Sequence, residues 1–176
     1  MMLAVPDTSV VLGRVERDVT GDGRPEVLSL VGVGETVENM SATLTIQSEG
    51  RVIVRVSISL PSRRVYDREL RSTLRMSYSA WLRDVGGSFF AAAKFLSPSE
   101  FVARLRGSAP KHVSAIAAVI ARDGGFAADT ARGQDIWRRI QASRATVFEF
   151  SRGGDDAGAI AWSSADGRFY RLVECC

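Results

Sequence analysis

The chain has 176 residues, of which 45% are hydrophobic and 24% charged, with a formal net charge of +3. That is the make-up of one ordinary globular domain, 1–176, with one core, large enough to fold without disulfides or a metal. The mild positive charge is spread along the chain and does not by itself imply nucleic acid. The longest apolar stretches, 89–93 and 115–121, fall far short of the roughly 20 residues a bilayer span needs.

The chain starts Met-Met-Leu-Ala-Val-Pro, without a charged n-region or a long apolar h-region, so any export signal is expected upstream of it. Segments 27–33, 42–47 and 52–60 are rich in Val, Ile, Leu and Thr and read as strands. Glu49-Gly50 between the last two is written as a tight hairpin turn. From 67 to 85, Leu70, Leu74, Tyr78, Trp81, Leu82 and Val85 fall at helical spacing, and Gly86-Gly87 reads as the stop. The alternation through 74–80 would suit a strand equally well. On that helix Arg64, Arg68, Arg71 and Arg75 form a basic stripe. It reads as a solvated face partly paired with Asp67 and Glu69, and as an alternative it would dock an acidic partner.

Ser97-Pro98-Ser99-Glu100 is a capping box that opens a helix through 106. A second helix is expected over 110–122, closed by Gly124-Gly125, and a third from an Asp129 cap to about 143. Strands return at 146–150, 159–162 and 169–173, with Asp155-Asp156 and Asp166-Gly167 in the turns. Strands, then helices, then strands argue for an α+β fold. The expected form is a largely antiparallel sheet built from N- and C-terminal strands, with the central helices packed on one face.

One segment carries recognisable chemistry. Asp18-Val19-Thr20-Gly21-Asp22-Gly23-Arg24-Pro25-Glu26 sets oxygen-bearing groups at positions 1, 3, 5 and 9 of a tight loop, with a glycine at 6. Calcium takes six to eight oxygens, and the Asp18, Thr20, Asp22 and Glu26 side chains with the Arg24 carbonyl could supply five. The competing reading is a plain turn, because Asp, Gly and Thr are good turn formers. An EF-hand is excluded: its twelfth position is Ser29 and an apolar strand follows where a helix is needed.

Residues 17–34 resemble the loop-then-strand unit of FG-GAP and VCBS-type repeats, whose pattern is Asp-x-Asn-x-Asp-Gly-x-x-Asp followed by an apolar strand. The resemblance implies calcium ligands at Asp18, Thr20, Asp22 and Glu26, with Thr20 in place of the usual Asn or Asp and Glu26 in place of the usual Asp. It covers about a tenth of the chain. The propeller of those families does not carry over, since the unit occurs once here. A weak single loop fills with calcium outside the cell, which places the protein in the periplasm or medium.

Little else in the sequence points to chemistry. His112 is the sole histidine, which excludes His-paired zinc motifs, and no nucleophile elbow accompanies it. The glycine pairs match neither a P-loop nor a dinucleotide fingerprint. Cys175 and Cys176 are adjacent, with Cα atoms about 3.8 Å apart, closer than an ordinary disulfide allows, and read as two thiols. Two functions follow as expectations. One is a non-enzymatic binding or interaction module of an exported bacterial protein, with a structural calcium loop and an unidentified protein partner. The other is a hydrolase or other enzyme whose active residues meet only in three dimensions.

Overall fold

A computed structural model describes residues 8–34, 41–60, 63–153 and 156–174. The two cysteines and Asp155 of the expected turn lie outside these. The α+β class is what forms, with the described strands arranged as two four-stranded antiparallel sheets. Contacts gather the described residues into two compact units. One draws on Met1–Val15, Val27–Ala91 and Arg152–Gly154, the other on Glu16–Glu26, Ala92–Ser151 and Asp155–Cys176.

The first sheet runs in the order β1 (Thr8–Arg17), β2 (Glu26–Gly34), β3 (Ser41–Ser48) and β4 (Arg51–Ile58). Its register pairs Leu28 with Ile46 and Leu30 with Leu44, all four fully buried. The intervening residues pair Ser29 with Thr45 on the opposite face, where their hydroxyls lie 2.7 Å apart. Alternation at period two therefore sends the leucines and isoleucines to one side and the hydroxyls to the other. Glu49 (φ 49°) and Gly50 (φ 79°) both adopt left-handed backbone, the twist-matched turn that lets β3 and β4 pair directly. β1 is absent from the sequence reading. It lies at a sheet edge, where Val10 and Val11 stay exposed, so it lacks the clean alternation that marks the inner strands.

The expected helix over 67–85 is broken in two. A first run comprises α1 (Arg63–Val65), a π-helical turn (Tyr66–Leu70) and α2 (Arg71–Leu74), and it ends where Arg75 turns left-handed at φ 52°. Ser77 then caps α3 (Tyr78–Phe89), accepting a hydrogen bond from the Ala80 N–H at 3.2 Å. The break is held from inside. Tyr66 is fully buried, its hydroxyl donates to the Met76 carbonyl at 2.7 Å, and its ring meets those of Tyr78 and Trp81 at 5.5 and 5.3 Å. Neither helix nor strand therefore spans 74–80. Arg75 falls outside the helical run, and Asp67 pairs with Arg63 and Arg71 while Glu69 pairs with Arg68, as on a solvated face.

Gly86-Gly87 does not stop the helix either. Gly86 lies inside α3 because the helix crosses β1 at backbone distance: a Cβ on Gly86 would stand 1.7 Å from the Leu12 carbonyl oxygen, and one on Gly13 would stand 2.5 Å from the Gly86 oxygen. Gly87 faces open space. The two neighbours should respond oppositely to one methyl group. Gly86→Ala is expected to destabilise the fold by about 2 kcal/mol or more through forced separation of α3 and β1. Gly87→Ala should stabilise it by up to about 1 kcal/mol through helix propensity. Urea unfolding of both variants checks the pair.

In the second unit, the short β5 (Phe95–Leu96) pairs with β6 (Val147–Gly153), followed in the sheet by β7 (Asp156–Ser163) and β8 (Arg168–Glu174). Three helices cover one face: α4 (Pro98–Ser108), α5 (Pro110–Asp123) and α6 (Thr130–Ala142). Phe101, Ile116, Ile120, Ile136 and Ile140 from the helices meet Val147, Ala161 and Leu172 from the sheet in one buried cluster. Each such fully buried side chain contributes roughly 1.5 to 3 kcal/mol.

The helix starts follow the sequence signals. Ser97 accepts from the Glu100 N–H, and the Glu100 carboxylate accepts from the Ser97 hydroxyl and the Ser97 N–H, both at 2.7 Å, bonds that hold the Glu100 pKa below the ordinary carboxylate value. Asp129 accepts from the Arg132 N–H at 2.9 Å. α5 is tied to β8 by Asp123, whose carboxylate accepts from the Arg171 guanidinium at 2.9 Å and from the Arg171 N–H at 3.1 Å.

Candidate functional site

The 18–26 loop, as folded, is closed by its own carboxylates. Gly21 (φ 80°) and Gly23 (φ 87°) turn the chain left-handed, bringing main-chain N–H groups inward. Asp18 accepts from the Gly21 N–H at 2.6 Å with one oxygen and from the Gly23 N–H at 2.8 Å with the other. Asp22 accepts from the Arg24 N–H at 2.8 Å. Glu26 is fully buried. One of its oxygens takes the N–H groups of Val19 and Thr20 at 2.9 and 3.2 Å, and the other takes the Thr20 hydroxyl at 3.1 Å. Three donors around one buried carboxylate are what make its desolvation tolerable.

The donors that meet these oxygens come from the loop itself: the Thr20 hydroxyl is bonded to the Glu26 carboxylate, and Asp18 and Asp22 accept from main-chain N–H groups. Among the described residues, no three His, Cys, Asp or Glu side chains gather in a way that could hold a metal. The loop has a packing role. The Val19 carbonyl accepts from the Thr146 N–H at 3.2 Å, the Asp18 carbonyl accepts from the Thr146 hydroxyl at 3.4 Å, and Gly21 lies flat on the Arg144 and Ala145 backbone. The loop thereby seats the start of β6.

Farther along β6 is a cleft of about 330 Å³, the size of a small-ligand site. Its floor is the edge of the core: Phe101 and Leu105 from α4, Phe150 from β6, Ala159 from β7 and Val173 from β8. Gly158 contributes by what it lacks, since a Cβ there would stand 2.7 Å from the Phe150 ring. The rim carries Lys94, Ser108, His112, Glu149 and Ser151.

Local sequence explains each rim position. Lys94 ends a 3₁₀ turn (Ala92–Lys94) just before β5. Pro110 cannot continue α4 and starts α5, so Ala109 bends the chain (φ −152°, ψ 67°) and His112 falls in the first turn beside the cleft. Glu149 is held by Arg104, which also donates to the Ala93 carbonyl at 3.1 Å. The Ser108 hydroxyl donates to the Arg104 carbonyl at 3.0 Å. Neither the Lys94 ammonium nor the His112 ring has a partner among the described residues. Burial raises the phenols of Tyr78 and Tyr170, and neither lines this cleft.

Of the sequence-nominated residues, Asp18, Thr20, Asp22, Arg24 and Glu26 do share one loop, and the hydrogen bonds run within it. The cleft escaped sequence reasoning because it joins Lys94, His112 and Glu149 from three distant segments. Its one local signal was a lone histidine placed by Pro110. No protein-family model, curated protein or solved structure matches the chain.

The loop geometry is checked by heat. Glu26→Leu leaves three buried donors without their acceptor and should cost about 3 kcal/mol, a fall in melting midpoint of roughly 6 to 12 °C. The wild-type midpoint should differ by less than about 1 °C between excess chelator and about 2 mM calcium. An ion bound with a Kd near 10⁻⁴ M would instead raise it by roughly 4 to 7 °C, and that rise would return Glu26 to a ligand's role.

Proposed function

We propose that this chain is a non-enzymatic binding module that takes a small molecule in the Lys94–His112 cleft, with the 18–26 loop serving as a structural corner that holds the cleft's central strand. The observation that carries this reading is the combination of a concave apolar floor with two polar rim groups that have no partner among the described residues. Ligand sites are built in that way, with apolar walls for affinity and a few placed polar groups for orientation. The extracytoplasmic address rested on calcium and takes no support from the loop's donor set.

A hydrolase is the second reading, since the sole histidine shares the cleft with Ser108, Ser151 and Glu149. What weighs against it is the occupation of the groups it would use. Glu149 is neutralised by Arg104, and the Ser108 hydroxyl is turned to the main chain. A base must reach its nucleophile and be oriented by a third group.

A fragment screen by two-dimensional NMR on the whole chain tests the binding reading. Hits are expected to shift the amides of Ser108, His112, Ser151 and Ala157, and Ser108→Trp, which fills the cleft from the exposed end of α4, should abolish those shifts with the fold unchanged by circular dichroism. Hits that cluster elsewhere, or that survive Ser108→Trp, would overturn it. Loss of a measured hydrolysis in His112→Ala would replace it with the enzyme.

A further inference from the structure

The chemistry around the cleft goes further than its existence. We infer that its ligand is a small amphiphilic carboxylate, an apolar body with a single anionic head, and this rests on the cleft being the binding site. The charged groups lining it are few. Glu149 has its charge offset by Arg104, which leaves the Lys94 ammonium as the uncompensated charge among the described lining residues, with His112 beside the same cleft as an N–H donor. An apolar ligand without a charge would leave that ammonium facing it unpaired, and a cationic one would be repelled by it.

The anion is a carboxylate rather than a phosphate because of what the rim lacks. Phosphate and other doubly charged heads are held by guanidinium forks and several N–H donors. No arginine is among the described lining residues, and Arg104, which pairs with the rim carboxylate, is spent on Glu149 and the Ala93 carbonyl. Lys94 and His112 both line the cleft, and they offer an ammonium and an imidazole N–H to an anionic head. The body must be apolar because the floor is: Phe101 and Phe150 are 1% and 3% exposed, so these are core side chains held in place by packing, and they cannot swing out to offer a polar surface. At about 330 Å³ the cleft sits at the low end of ligand sites, which limits the body to a short chain or a single ring.

Octanoate and octanol make the test, because they share a body and differ in the head. NMR titration of the whole chain should show octanoate shifting the amides around Lys94, His112, Phe150 and Gly158, with octanol binding at least about tenfold more weakly. Lys94→Met should weaken octanoate by about tenfold and leave octanol unchanged, while Ser108→Trp should remove both. Equal binding of the two in the cleft would overturn the carboxylate and leave the cleft itself standing. Absence of cleft shifts with either compound would sink the cleft and the carboxylate together. A Lys94→Met variant that binds octanoate like wild type would overturn the assignment of the head to this end of the cleft.

Discussion

A carboxylate with no access to water stands at the root of the second unit. The buried Glu26 carboxylate accepts from the Val19 and Thr20 N–H groups and from the Thr20 hydroxyl, in a loop that Gly21 and Gly23 bend left-handed. With the loop closed in that way, the Val19 and Asp18 carbonyls face Thr146, and Gly21 lies on the chain just before it. β6 begins at the next residue. The same strand carries Glu149, Phe150 and Ser151 to the cleft, so a buried hydrogen-bond cluster at one end of a strand stands behind the wall of the cleft at the other.

Close backbone approach is the second recurring device. Gly86 lets α3 touch β1, Gly133 lets α6 approach the Ala117 carbonyl of α5, and Gly158 makes room for the Phe150 ring. In each case a methyl group would have to displace a main chain or a buried aromatic. Two of these glycines sit within helices, against propensity, so tertiary contact sets the cost that local preference would otherwise decide.

How much of this was legible in the sequence depended on the range of the interaction. Ser97, Asp129 and the Glu49-Gly50 turn act within four residues, and each does what its local pattern indicates. Gly86-Gly87 carries the same letters as a helix stop, and only the crossing with β1, more than seventy residues away, keeps the helix going. Arg75 and Ser77 break a helix that apolar spacing alone supports, because Tyr66 and Trp81 hold the bend from the core side. In the acidic loop the spacing of carboxylates was plain and their direction was not. Glu at the ninth position is one methylene longer than the Asp of the family it resembles, and that reach brings it back to the Val19 and Thr20 N–H groups. The cleft left almost no trace, since its rim is drawn from segments that share no pattern.

The central claim is that the 18–26 loop is held by its own hydrogen bonds and needs no ion to place β6. Amide hydrogen exchange at Val19, Thr20 and Thr146, measured in excess chelator and again in millimolar calcium, tests it most directly. Strong protection of all three that is the same in both conditions is the expected result, because their acceptors are Glu26 and Val19 in either case. Fast exchange in chelator that becomes slow with calcium would contradict it, and would make the ion, rather than Glu26, the organiser of the loop.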